Sequence, residues 1–120
     1  MRTFEVSFEG RVPIDSYGEG GFRVQGAVHA GPLGLVPEGV VPWAGLPDLG
    51  PFLERVEAFD VLLVGTGASV GPLPEGFAAG RRALEAKGAG VEIMATPSAC
   101  RTYNVLLGEG RRVAAALMPI

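Results

Sequence analysis

Residues 60–67, Asp60-Val61-Leu62-Leu63-Val64-Gly65-Thr66-Gly67, decide the fold of this chain. Four consecutive apolar residues follow Asp60, which is the length of a short strand, and Gly65–Gly67 end it. Unbroken rather than alternating apolarity indicates a strand that is covered on both faces. Such a strand belongs to the central sheet of an α/β protein, where helices lie on each side.

Downstream of this strand, apolar runs alternate with helical patterns. Gly90–Met94 and Val113–Met118 are predicted strands, and helices are predicted over Pro74–Lys87 and from Thr96 to Gly108. We expect Thr96 to be the N-cap of the last helix, with the following proline at its first position. The alternation predicts right-handed βαβ crossovers and largely parallel strand pairing.

The first half of the chain is rich in Gly and Pro between short apolar runs, a pattern typical of short strands joined by tight turns. The candidate strands are Thr3–Phe8, Gly21–His29, Gly34–Val36 and Val40–Trp43. Residues 15–21 are expected to form a loop. A short helix is predicted to begin near Pro47, because apolar residues recur at helical spacing at Leu49, Phe52, Leu53 and Val56.

Together these patterns predict a single domain over residues 1–120 with an α/β fold. Its central sheet is expected to be mixed and mostly parallel, with helices on it and an additional N-terminal β layer. A chain of 120 residues is long enough to bury a core of this kind.

Composition limits the function classes. The net charge of −3 argues against a nucleic-acid partner, and no run approaches the roughly 20 apolar residues of a membrane span. The single Cys100 cannot form an internal disulfide, so we expect a cytoplasmic protein. With His29 as the single histidine, the sequence offers no cluster of metal ligands, and it predicts no metal and no cofactor.

A candidate anion pocket lies at the carboxyl ends of two predicted strands, where α/β proteins bind ligands. Gly65, Thr66 and Gly67 follow one of these strands, and the start of the last helix, with Arg101, follows the other. Backbone amides, a hydroxyl and a guanidinium could therefore face one anion. The alternative is purely structural: the glycines permit a tight turn and Thr96 caps the helix.

Cys100 and Asn104 complete the predicted pocket, since both lie within one turn of Arg101. A helix start and a neighbouring arginine would lower the pKa of the Cys100 thiol, although lone cysteines commonly act as small buried apolar residues. Asn104 could contact a ligand or bond to local backbone. Glu92 is either half-exposed or a buried carboxylate that pairs with Arg101.

Several segments resemble the Mth-type domain family, which was long catalogued as a domain of unknown function. The resemblance rests on five segments: Ile14–Tyr17 with Gly21–Val24, Asp60–Gly67, Gly90–Met94, Ala99-Cys100-Arg101-Thr102-Tyr103-Asn104-Val105-Leu106, and Arg112–Leu117. The family includes a mitochondrial complex I assembly factor. The resemblance implies a three-layer α/β fold around a mixed sheet, but it brings no established catalytic residues.

Two hypotheses about function follow. The first is a non-enzymatic protein-binding or assembly module, which assists assembly of a respiratory or other membrane protein complex. The second is an enzyme or sensor that binds a small anionic ligand at Gly65–Gly67 and Cys100–Asn104. We favour the first, because the sequence supplies no base, nucleophile pair or metal cluster. A homodimer is a further hypothesis, since the short N-terminal strands could leave a sheet edge free.

Overall fold

The computed structural model describes residues 8–120, which form eight strands and three α-helices. The strands are β1 (Ser16–Gly18), β2 (Gly21–Val24), β3 (Ala27–Ala30), β4 (Leu33–Val36), β5 (Gly39–Val41), β6 (Val61–Gly65), β7 (Gly90–Met94) and β8 (Val113–Leu117). The helices are α1 (Gly50–Leu53), α2 (Phe77–Ala86) and α3 (Thr96–Gly108), and a 3₁₀ turn covers Val56–Ala58.

The strands form two sheets. The larger has five strands in the order β5-β4-β8-β6-β7, and the smaller has three in the order β1-β2-β3. In the larger sheet β6 pairs parallel with both β7 and β8, whereas β4 pairs antiparallel with β5 and β8. The predicted mixed α/β sheet is confirmed, and its parallel part is the unit that the sequence after Asp60 indicated.

The five-stranded sheet is the middle of three layers, and a cluster of buried side chains lies on each of its faces. One cluster joins α3 and the three-stranded sheet to the larger sheet, through residues such as Phe22, Leu63 and Tyr103. The other lies under α1 and α2 and contains Phe52 and Leu84. This arrangement explains why β6 and β8 are apolar at successive positions, since both of their faces are covered.

The N-terminal prediction needs correction in two places. The single strand predicted over Gly21–His29 is two strands, because Gln25 and Gly26 have φ of 51° and 78° and form a tight turn. The loop predicted over residues 15–21 contains β1. The predicted strand Thr3–Phe8 falls almost wholly outside the described residues.

The helices also differ from the prediction at their starts. Helix α1 has only four residues, and α2 begins at Phe77 rather than Pro74, after Gly76 with φ of 95°. Thr96 is the first residue of α3 and not its N-cap, which is Ala95. The Thr96 side chain is therefore available for other contacts.

Candidate functional site

The carboxyl ends of β6 and β8 meet the start of α3 at the side chain of Thr96. This residue is fully buried. Its Oγ1 accepts a hydrogen bond from the Gly67 N–H at 2.9 Å and donates one to the Met118 carbonyl at 2.7 Å. The Thr96 N–H donates in turn to the Gly67 carbonyl at 2.8 Å. One hydroxyl thus ties together two strand ends and a helix.

The predicted pocket residues Gly65, Thr66 and Gly67 lie against this joint. The Thr66 N–H donates to the Met94 carbonyl at 3.0 Å, and its Oγ1 lies 2.9 Å from the Ser69 carbonyl. Because the Gly67 N–H is bonded to Thr96, the amides of both residues have partners inside the protein. The backbone amides that were predicted from the sequence to bind an anion therefore form hydrogen bonds that hold the loop to the sheet and to α3.

Gly65 is required by the close approach of α3. A Cβ at this position would lie 2.8 Å from Thr96 Oγ1, 2.9 Å from Leu117 Cδ2 and 3.0 Å from Thr96 Cα. Contacts this short are essentially absent between real Cβ atoms and their neighbours. The absence of a side chain here is what allows the helix start to pack directly on the strand end.

Cys100 lies in the core under α3 and is 3% exposed. Burial raises the pKa of its thiol to about 11, and the opposing effect of the Arg101 guanidinium is smaller. The lowered pKa predicted from the helix position is therefore wrong, because desolvation outweighs the nearby charge. The thiol is in the protonated form at neutral pH, as befits a small buried apolar residue.

Arg101 points away from the core. It is exposed, and its Nη2 donates a long hydrogen bond of 3.4 Å to Ser98 Oγ one turn earlier. Glu92 is exposed as well, and no ion pair between it and Arg101 is found within residues 8–120. The pairing considered from the sequence is not formed, and Arg101 is the pocket candidate whose charged group is free to meet a ligand.

Two further residues of α3, Tyr103 and Asn104, connect the helix to the N-terminal segment. Asn104 Oδ1 accepts from the Ile14 N–H at 2.9 Å, and its Nδ2 donates to the Ile14 carbonyl at 2.8 Å. The buried Tyr103 hydroxyl lies 3.3 Å from the Val12 carbonyl and 3.2 Å from the Val36 carbonyl. Burial raises the pKa of Tyr103, and Glu38 adds to the effect. Sequence reasoning could not find these partners, because they lie 67 to 91 residues away.

A groove that the sequence did not single out opens beside this joint. It encloses about 350 Å³ and is lined mainly by apolar residues with two hydroxyls: Leu46, Thr66, Ser69, Gly71, Pro72, Leu73, Pro74, Met118 and Pro119. Val70, in the same loop, is 59% exposed. The signal for this surface was the long Gly- and Pro-containing loop after a buried strand, the usual place for binding residues.

Another cavity, of about 470 Å³, lies over the three-stranded sheet and is lined by residues that include Tyr17, Arg23, Val28 and Ala30. Within the described part of the chain, no group of three or more His, Cys, Asp or Glu residues is placed to hold a metal ion. None of the helices between residues 8 and 120 has the length and apolarity needed to cross a membrane.

Proteins of other organisms are similar in sequence to this chain. An uncharacterized protein of Rhodobacter capsulatus is 48% identical over 120 residues, covering 100% of this chain and 94% of that one. NADH dehydrogenase [ubiquinone] 1 alpha subcomplex assembly factor 3 of Bos taurus is 35% identical over 117 residues. That match covers 88% of this chain but only 60% of the bovine protein.

Solved structures share the fold. An outer membrane protein from Bartonella henselae superposes with a TM-score of 0.77 at 39% identity, covering 94% of this chain and 98% of that one. A Mth938-like domain from Bordetella pertussis gives 0.74 at 30% identity, covering 99% and 92%. The sequence pattern of the family described as protein of unknown function (DUF498/DUF598) matches residues 14–118. The chain belongs to this DUF498/DUF598 family, whose members have the Mth938-like fold.

Proposed function

We propose that this chain is a non-enzymatic protein-binding module that assists assembly of a membrane protein complex, and of a respiratory complex in particular. The observation that carries the proposal is the 35% identity to a complex I assembly factor over 88% of this chain. The similarity covers the folded unit itself rather than a short motif, so the surface used in assembly is proposed to lie on this unit. We place its action in the cytoplasm, at the inner face of the membrane.

The contacts of the α3 side chains support a binding role. Thr96, Tyr103 and Asn104 are hydrogen-bonded to backbone groups far away in sequence, and Cys100 is buried with a raised pKa. These side chains stabilise a rigid body. Their exposed neighbours are then the residues to examine for contacts with a partner.

We propose that the partner protein binds at the groove beside Val70. The groove is lined by Leu46, Leu73 and Met118 together with several prolines, and a partly exposed apolar surface in a concavity is typical of protein-binding sites. It lies at the carboxyl ends of β6 and β8, the end at which α/β folds bind their ligands.

Deletion of the gene in the organism of origin tests the assembly role. We expect its membranes to lose at least half of their NADH-dependent quinone reduction, and the wild-type gene to restore it. Fully active membranes with complex I of normal size on native gels would contradict the proposal.

The groove is tested by Val70→Asp, with Val105→Asp as the matched control. Val105 is 58% exposed on α3, so both changes place the same carboxylate on a similarly exposed site. Tagged Val70→Asp protein at native expression should lose the respiratory-complex subunits that the wild type and Val105→Asp recover. Equal recovery by all three proteins would place the partner surface elsewhere.

A second candidate function is binding of a small anion, and the exposed guanidinium of Arg101 favours it. The pocket predicted for it from the sequence comprises Gly65, Thr66, Gly67, Cys100, Arg101 and Asn104, and of these six residues Arg101 is the exposed one and supplies the charge. Titration with phosphate, followed by amide NMR shifts, should move the signals of Ser98 and Arg101 in the wild type but not in Arg101→Gln. If neither protein responds to millimolar phosphate, the anion hypothesis fails.

A further inference from the structure

Among residues 8–120 the two sheets end in four edge strands, and three of these carry features that discourage pairing. At β7 the Arg81 guanidinium donates to the Val91 carbonyl at 3.0 Å, and Glu92 places a charge on the strand. The edge strand β5 has three residues and is followed directly by Pro42. Charged residues and proline are the usual devices that keep an edge unpaired.

The edges of the three-stranded sheet differ from one another. Strand β1 has three residues and follows Asp15, whose carboxylate accepts from the Gly26 N–H at 2.9 Å. Strand β3 has four residues, Ala27-Val28-His29-Ala30, with no Asp, Glu, Lys or Arg among them. Val28 is 68% exposed, more than any other large apolar residue among residues 8–120. This edge therefore lacks the protective features of β5 and β7.

The hairpin register fixes which backbone groups of β3 are free. Val24 pairs with Ala27 across a two-residue turn in which both residues have positive φ. Such turns are closed by a hydrogen-bonded pair, and bonded and non-bonded pairs then alternate along the ladder. Ala27 and His29 therefore bond to β2, while the N–H and C=O groups of Val28 and Ala30 point outward.

We propose that β3 pairs antiparallel with β3 of a second copy of this chain, which joins the two three-stranded sheets into one six-stranded sheet. Val28 of one copy lies opposite Ala30 of the other, and the two His29 residues face each other across the two-fold axis. Both copies then contribute the same outward donors and acceptors, so four backbone hydrogen bonds form. This proposal is independent of the assembly role.

The self-complementary spacing favours a second copy over an extended peptide from another protein. Gly26 and Gly31, with φ of 78° and 79°, turn the chain away at both ends of β3, which leaves a bonding segment of four residues. Its free groups are centred on His29, so the segment matches its own antiparallel copy in length and register. An interface built on one such edge falls in the small, weak class of less than about 1,200 Å². We therefore expect dimers to form only at high protein concentration.

Disulfide trapping tests the register. His29→Cys in a Cys100→Ala background places two thiols across the proposed axis, where opposite Cα atoms of a non-bonded antiparallel pair lie about 4.5 Å apart. This spacing is compatible with a disulfide. Tyr17→Cys in the same background, on the opposite edge of the sheet, is the control. We expect the His29→Cys protein to form covalent dimers at least tenfold faster.

Sedimentation of the unmodified protein gives a second measurement. Val28→Pro removes an outward N–H without removing a bond to β2, and it should abolish the concentration-dependent rise in mass that the wild type shows. A wild-type protein that stays monomeric at about 1 mM, where even an interface worth only about 4 kcal/mol is half-occupied, would overturn the proposal. Equal trapping rates at Tyr17→Cys and His29→Cys would also overturn it.

Discussion

The five-stranded and three-stranded sheets of this protein differ in how their strands are exposed to solvent. Every residue of β8 is buried, and β6 is buried from Leu62 to Gly65, since helices or the smaller sheet cover both faces. In β2, Phe22 and Val24 are buried while Arg23 between them is exposed. The central strands β6 and β8 of the larger sheet are thus core on both faces, whereas the smaller sheet has a face and an edge in contact with solvent.

The two regions are joined through α3. At its start, Thr96 fixes the helix to the carboxyl ends of the larger sheet, and two turns later Asn104 holds the backbone of Ile14, which leads into β1. The difference between the sheets shows that α3 has two structural tasks. Its first part closes the buried sheet, and its last part attaches the exposed one.

Gly65→Ala should reduce stability the most, because the added Cβ lies in the buried sheet, where neighbouring atoms leave no space for it. Its Cβ would lie 3.0 Å or less from Thr96 and Leu117 atoms. We expect a loss of about 3 kcal/mol in unfolding free energy, as for overpacked cores. Urea denaturation measures it. In Gly71→Ala the new Cβ meets nothing within 4 Å, so stability should change by less than about 0.5 kcal/mol. Equal effects at both positions would refute the close-packing explanation.

Thr96→Val should cost about 2–3 kcal/mol, because it keeps the shape of the side chain but leaves the buried Gly67 N–H and Met118 carbonyl without that partner. Thr96→Ser retains the hydroxyl and should lose less. Thr102→Val, at a half-buried position of the same helix, is the control and should be nearly neutral. Chemical denaturation of the four proteins gives the comparison; a Thr96→Val protein as stable as Thr96→Ser would contradict the role of the hydroxyl.

Alkaline pH should weaken the core that the two sheets share at Cys100. The thiol pKa is raised from 9.0 to about 11 on folding, so above pH 9 the unfolded chain loses its proton first. Stability due to this group is complete below pH 9 and is lost as the pH rises toward 11, by roughly 2 kcal/mol at pH 10.5.

Denaturation at pH 8 and 10.5 measures this loss, and Cys100→Ala is the control that lacks the titrating group. The wild type should lose more stability than Cys100→Ala between the two pH values. Parallel losses in both proteins would mean that the thiol titrates alike in the folded and unfolded chains.

Asn104→Ala should have the smallest effect, about 1–2 kcal/mol for two hydrogen bonds, and a local one. We expect hydrogen exchange at the Ile14 amide to accelerate at least tenfold, while amides of β6 and β8 keep their protection. Val105→Ala, at the exposed neighbouring position, is the control. Uniform acceleration over both sheets would show that the smaller sheet is not attached separately.

The sequence predicted the parallel unit well because its signals are local. The runs in β6, β7 and β8 need only their own apolar residues and flanking glycines to be recognised as strands. The sequence predicted the N-terminal strands less well. Gln25 adopts a left-handed conformation in the turn between β2 and β3, and the identity of this residue does not predict that conformation. The candidate site was predicted in part. The sequence indicated the convergence of Gly65–Gly67 with the start of α3, but not the bonds formed there.

What the sequence determined by itself is the α/β architecture and the family, because periodicity, turn glycines and a specific motif are properties of consecutive residues. Only the tertiary structure decided what the side chains of α3 do. Thr96, Tyr103 and Asn104 bond to groups at least 22 residues away, and Cys100 is shielded by the layers above and below it. Hydrogen-bond partners and desolvation depend on which distant segments meet, and that is settled only when the layers pack.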